Sequence, residues 1–384
     1  MRRRAFVALA GALLSAGCGA GPLSGGEGTR DGGGGQTVQT PGTYNAPTPV
    51  GYGENAEGEG NQAGDGDPDG EETEELPEEE RTAEGNPQAA ADIDAARSSL
   101  RAAYDAYVGQ APGRNPGLLD VTATLDGFAA RTVQNHVGSA TQSLDAALEY
   151  ATEPQRIAVQ RLRGFGEALT AGARLQERLV AAHTRFRWGL ERFYGESGPN
   201  VRRAVRDVRQ GMATAREEWE TLESGLDRTD VQAVSYVTED AYDSKFGDFG
   251  QLDRAIETLD EFAVALRRAE EGLDALRAGV SAYQNEEWQT ADSALGSAAI
   301  DFLVAGSTFE YYYGPTSLEP LADRLYADFG ALQVGAEHLE LSAEAGEDGE
   351  IGDREDQQER AAEAIEANER VEEMRTSGRI ARMA

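Results

Sequence analysis

The stretch LDRAIETLDEFAVALRRAEEGLDALRAGVSAY, residues 252–283, decides the fold. Leu252, Leu259, Leu266, Leu273 and Val280 recur every seven residues, and Ala255, Phe262, Ala269, Leu276 and Tyr283 follow three positions later. An apolar seam repeated over five heptads predicts a long helix packed against partner helices. A second run, Val205, Val208, Met212, Ala215, Trp219 and Leu222, follows Pro199, where a helix start is favoured. Upstream, residues 155–194 read as one helix of about 40 residues, on the order of 60 Å long. Its seam is Leu162, Phe165, Leu169, Leu179, Phe186, Leu190 and Phe193, interrupted by the polar Gln176 and His183 and the small Gly172.

The same periodicity predicts helices over 88–108, 117–151, 287–312, 318–345 and 354–376. Pro154 separates the 117–151 helix from the next. No stretch alternates apolar and polar residues with period two. The expected fold is all-α: a bundle of seven to eight mostly long antiparallel helices over residues 87–384, with coiled-coil-like packing. Segment 226–250 breaks the pattern with Tyr236, Tyr242, Phe246 and Phe249 among carboxylates, so the folded part reads either as one elongated domain or as two bundles divided there. It reads as a functional loop or as a short docked helix. Tyr311-Tyr312-Tyr313, before Gly314-Pro315, reads as a helix cap packed on the bundle or as an exposed contact site. Tyr283, Trp288, Ala291, Leu295, Ala298, Phe302 and Ala305 resemble one tetratricopeptide-type helix pair, with small residues that let helices approach closely.

The N-terminus carries an address. Met1-Arg2-Arg3-Arg4 precedes an apolar run, Ala5 to Leu14, too short to span a bilayer, and then Ser15-Ala16-Gly17-Cys18. Arg3, Arg4 and Phe6 resemble the twin-arginine export motif, and Ala16-Gly17-Cys18 resembles a lipobox, with Ser15 in the usual leucine place. That resemblance implies a signal peptide over 1–17 and a lipidated Cys18, the only cysteine of the chain, on the outer face of the cell membrane. Two acyl chains at Cys18 are the physically sensible anchor, since one holds only marginally. Residues 18–86 are Gly-, Pro- and acid-rich and are expected to form a disordered tether, with a reach on the order of 45 Å. Within it, Asp65, Asp67 and Asp69 resemble half of a calcium loop. Glu72 and Leu76 break the second half, so metal binding is not expected.

Formal net charge is -34, from 69 acidic against 35 basic residues, and the only lysine is Lys245. Such a surface resembles that of haloarchaeal secreted lipoproteins, which implies a protein at home in concentrated salt. It argues against nucleic acid as a partner, and in dilute buffer self-repulsion should weaken the fold. The three histidines, His136, His183 and His338, form no ligand motif, and no Gly-x-Ser-x-Gly elbow or zinc pattern is present. No cofactor and no catalysis are expected. Gln176 and His183 read either as polar residues fixing helix register or as the lining of an interhelical pocket. Arg202, Arg206 and Arg209 share a helix face, either paired with neighbouring carboxylates or free for an acidic partner. The expected function is an anchored, extracytoplasmic helical module that works by contact with an envelope protein or by self-association. The alternative is an extracytoplasmic solute- or ion-binding lipoprotein.

Overall fold

Asn86 opens the first helix. Its side-chain oxygen accepts from the backbone amides of Gln88 and Ala89, and Pro87 sits in the first turn, where its missing N–H is no loss. The computed structural model describes residues 85–384, which lie within one compact unit. There is no strand among the described residues. Eight long helices carry the fold: α1 (Pro87–Val108), α2 (Ala130–Leu148), α3 (Glu153–Tyr194), α4 (Gly198–Gly225), α6 (Gln251–Gln284), α7 (Trp288–Glu310), α8 (Glu319–Asp348) and α9 (Ile351–Glu366). The shorter α5 (Glu239–Phe246) precedes α6, and α10 (Glu369–Glu372) and α11 (Arg375–Ile380) follow α9.

Each long helix packs on its predecessor, with α6 taking over from α4, and α3 reaches further to touch α1 and α6. Where the connections are short, from α2 to α4 and from α6 to α9, consecutive long helices run antiparallel. All ten heptad positions of α6 are buried. Ile256, Ala263 and Ala265 are buried as well, because α6 is covered by α3, α4 and α7 rather than by a single partner. Glycine sets two close approaches along α3. A Cβ at Gly172 would lie 2.3 Å from the Phe246 ring, and one at Gly189 would lie 2.6 Å from the Ala204 Cβ.

Two expected helix bounds are corrected, and segment 226–250 takes the docked one of its two readings. The helix expected over 117–151 begins only at Ala130. Asn115 has a positive φ, a short 3-10 turn occupies Leu118–Asp120, and Asp120 accepts from the Gly117 amide. Leu118, Val121, Ala123 and Leu125 bury themselves along an irregular strap. The helix expected over 354–376 ends at Glu366, because Asn368 turns the chain and caps α10. Segment 226–250 docks. A 3-10 turn (Arg228–Ala233) and α5 pack on α3, with Tyr242 and Phe246 buried and Tyr236 set among Tyr104 and Phe165.

Candidate functional site

Lys245 is wholly buried at the end of α5. Its Nζ donates to the Val121 carbonyl of the strap, to Gln176 Oε1 of α3 (3.0 Å) and to Gln251 Oε1 in the first turn of α6. Three oxygen acceptors match the three donors of an ammonium group. The Tyr107 ring lies 5.6 Å from Nζ and adds a cation–π contact from α1. Among the described residues no carboxylate pairs with the ammonium, and burial holds its pKa well below the usual lysine range. Gln251 Nε2 returns to the Leu119 carbonyl, which closes the strap onto α6. The seam residue Gln176 therefore fixes packing. The signal for this cluster was the sole lysine in an arginine-rich chain.

The arginine face of α4 is engaged. Arg202 donates to the buried Glu270 of α6 and lies 3.6 Å from Asp274, and Arg209 lies 3.2 Å from Asp260. Arg206 reaches only its neighbour Asp207, at 3.7 Å. Arg178 meets Glu218 through two 2.8 Å bonds, a guanidinium fork between α3 and α4, while single contacts from Arg202, Arg209 and Arg216 tie α4 to α6.

The other polar seam residue, His183, lines a cavity of about 650 Å³ between α3, the start of α8 and α10. Arg187, Arg324 and Arg370 stand around it with Glu191 and Glu373, and Thr124 of the strap, Leu190, Ser317, Pro320 and Leu321 complete its wall. Burial, helped by Arg187, lowers the His183 pKa to about 4. Tyr194 donates to Asp328 of α8, and Asn368 donates to the same carboxylate at 2.8 Å, which braces the walls against each other. The three arginines lie far apart in sequence, so no local pattern could announce them.

Next to the α7–α8 turn the surface changes character. Ile300 (61% exposed), Leu303 (51%) and Val304 (44%) form an apolar stripe that continues to Tyr311. A Cβ at Gly296 would meet Glu340 of α8, and two turns along each helix this register runs Leu303 past Gln333 and Val334. Val334 and Tyr326 are exposed on α8, and Tyr311 feels both Tyr313 and Tyr326 electrostatically. Of the tyrosine triplet, Tyr312 folds back: its hydroxyl donates to the Pro315 carbonyl and its ring meets Phe262. Tyr311 and Tyr313 face outward. The sequence signal was present in 298–305, where the apolar run is too full for a helix buried on one side.

Asp230 gives a pH handle on the docked segment. It lies over Gly164 of α3, and burial, with Asp227 adding to it and Arg161 opposing, raises its pKa to about 6. A carboxyl raised above its unfolded value, about 3.9, costs stability above pH 6 and stops doing so as pH falls toward 4. His183 has the opposite sign, losing stability as pH falls from about 6.5 toward 4. Asp230→Asn is therefore expected to raise the melting temperature at pH 7–8, with the gain vanishing near pH 4. Melting curves across that range check it; a gain that is the same at every pH would contradict the titration.

Among the described residues no group of three His, Cys, Asp or Glu is placed to hold a metal ion, and no helix is long and apolar enough to cross a membrane. Arg3, Arg4, Phe6, Cys18, Asp65, Asp67 and Asp69, with the expected signal over 1–17 and all but the last two residues of the tether expected over 18–86, lie outside the described residues. Comparison of the chain with protein-family models, curated proteins and solved structures finds no match.

Proposed function

We propose that this chain is an extracytoplasmic helical module, anchored to the membrane through lipid at Cys18, that acts by protein contact rather than catalysis. Its working surface is the α7–α8 face, and its first partner there is a second copy of the chain. The carrying observation is the stripe of Ile300, Leu303, Val304 and Tyr311, an uncharged strip on a molecule of net charge -34. Asp301, between these residues in sequence, lies 3.3 Å from Arg268 of α6. Two copies so acidic repel each other over most of their surfaces, and the stripe, edged by Glu310 beside Tyr311, is where they can approach while apposing few carboxylates. Burying such a strip releases about 25 cal/mol per Å² of apolar surface.

Sedimentation equilibrium in molar salt, on the chain without its first eighteen residues, tests the pairing. Dimer at micromolar concentration is expected; a monomer over the whole accessible range would overturn it. The anchor is tested separately by the intact mass of the chain from its own membranes, which should start at a diacylated Cys18.

A further inference from the structure

We propose that the cavity between α3, α8 and α10 is a binding site for a small organic carboxylate, held at its mouth by Arg187, Arg324 and Arg370. The inference goes beyond the contact reading and does not depend on the α7–α8 face.

The charge is the first argument. In a chain of net charge -34, three guanidinium groups from three different helices converge on one hollow against two carboxylates. Arg178, Arg185, Arg202, Arg209 and Arg216 are each tied to a carboxylate of a neighbouring helix. Among the described residues, no ion pair joins Arg187, Arg324 or Arg370 to a carboxylate, and Arg370 stands close enough to Tyr194 to act on its phenol electrostatically. Their donors remain available, in the planar forks that suit a carboxylate.

The interior is the second argument. The Ser317 hydroxyl is buried without a hydrogen-bond partner and lines the cavity. His183 is nearly buried, lines the same cavity and forms no side-chain hydrogen bond among the described residues. It remains neutral at neutral pH, so its ring offers one donor and one acceptor without adding a charge. Leu190, Leu321 and Pro320 supply apolar wall in the same cavity. A volume of about 650 Å³ is that of a small-molecule site. Charged mouth, apolar wall and orphan hydroxyl together fit an acid with a hydrocarbon body and a further polar group, rather than a bare inorganic anion. The Tyr194–Asp328–Asn368 brace holds the walls before any ligand arrives.

The test is thermal melting with isothermal titration in molar salt, using glutarate, citrate, phenylacetate and inorganic phosphate as probes. At a hundredfold excess over Kd, a bound carboxylate is expected to raise the melting temperature by about 5 °C. The shift should be lost in the double variant Arg187→Ser, Arg324→Ser and kept in Arg203→Ser, an exposed arginine outside the cavity. Arg187 and Arg324 are both exposed, so the double variant should melt like the wild type when no ligand is present. The proposal is overturned if no carboxylate shifts the melting temperature beyond what phosphate does. It is equally overturned if the shift survives in the double variant or is lost in Arg203→Ser.

Discussion

Lys245→Met is expected to cost about 3 kcal/mol of folding stability and Lys245→Ala about 5, read from urea midpoints in molar salt. Methionine keeps the volume and relieves the buried charge. It leaves the Val121 carbonyl and the Gln176 and Gln251 amide oxygens without their shared donor. Each orphaned buried acceptor costs about 1–3 kcal/mol, partly recovered where Gln251 turns to water. Relief of the charge works the other way, because burial already depresses this amine. The acceptors win in this balance, since three of them lose a partner while only one desolvated group is removed. Alanine adds the cavity term. The strap at 118–125 should also exchange its amide protons faster in both variants, because Lys245 is what ties Val121 to α3, α5 and α6. Lys245→Met as stable as the wild type would show that the fold tolerates the ammonium without using it.

The second large effect is on association. Leu303→Asp with Val304→Asp is expected to weaken self-pairing by at least a hundredfold while the melting temperature stays within a few degrees. Both side chains stand about half exposed, so neither replacement opens the core. In the pair, two new carboxylates would have to lose water inside an apolar contact, against a partner that carries the same two. Losing two apolar side chains alone is worth about 3 kcal/mol, which is more than a hundredfold in Kd, and the desolvation adds to it. An unchanged sedimentation profile would mean that association, where present, uses another surface.

The helices were legible because their signal is local. Five heptads in 252–283 fixed α6, and the seam of 155–194 fixed α3 to within two residues at its start. The strap before α2 was missed because its conformation is set from a distance, by Lys245, 124 residues on, which donates to the Val121 carbonyl. The break at Asn368 was likewise a matter of one capping side chain inside an acidic, helix-favouring run. Gln176 and His183 were visible as polar interruptions of one seam, yet their separate fates depend on what α5 and α8 bring to them. The arginine face of α4 was visible too, but the carboxylates that engage Arg202 and Arg209 come from α6. Long-range convergence of this kind leaves no periodic trace.

The most direct test of the account is a cross-link through Ser307, which is exposed on α7 between Val304 and Tyr311. The chain without residues 1–18 has no cysteine, so Ser307→Cys supplies a single thiol on the stripe. A short bis-maleimide in molar salt should join two copies in high yield, and Ser139→Cys, exposed on α2, should remain monomeric under the same conditions. No cross-link at Ser307, or equal yield at both positions, would contradict pairing through the α7–α8 face.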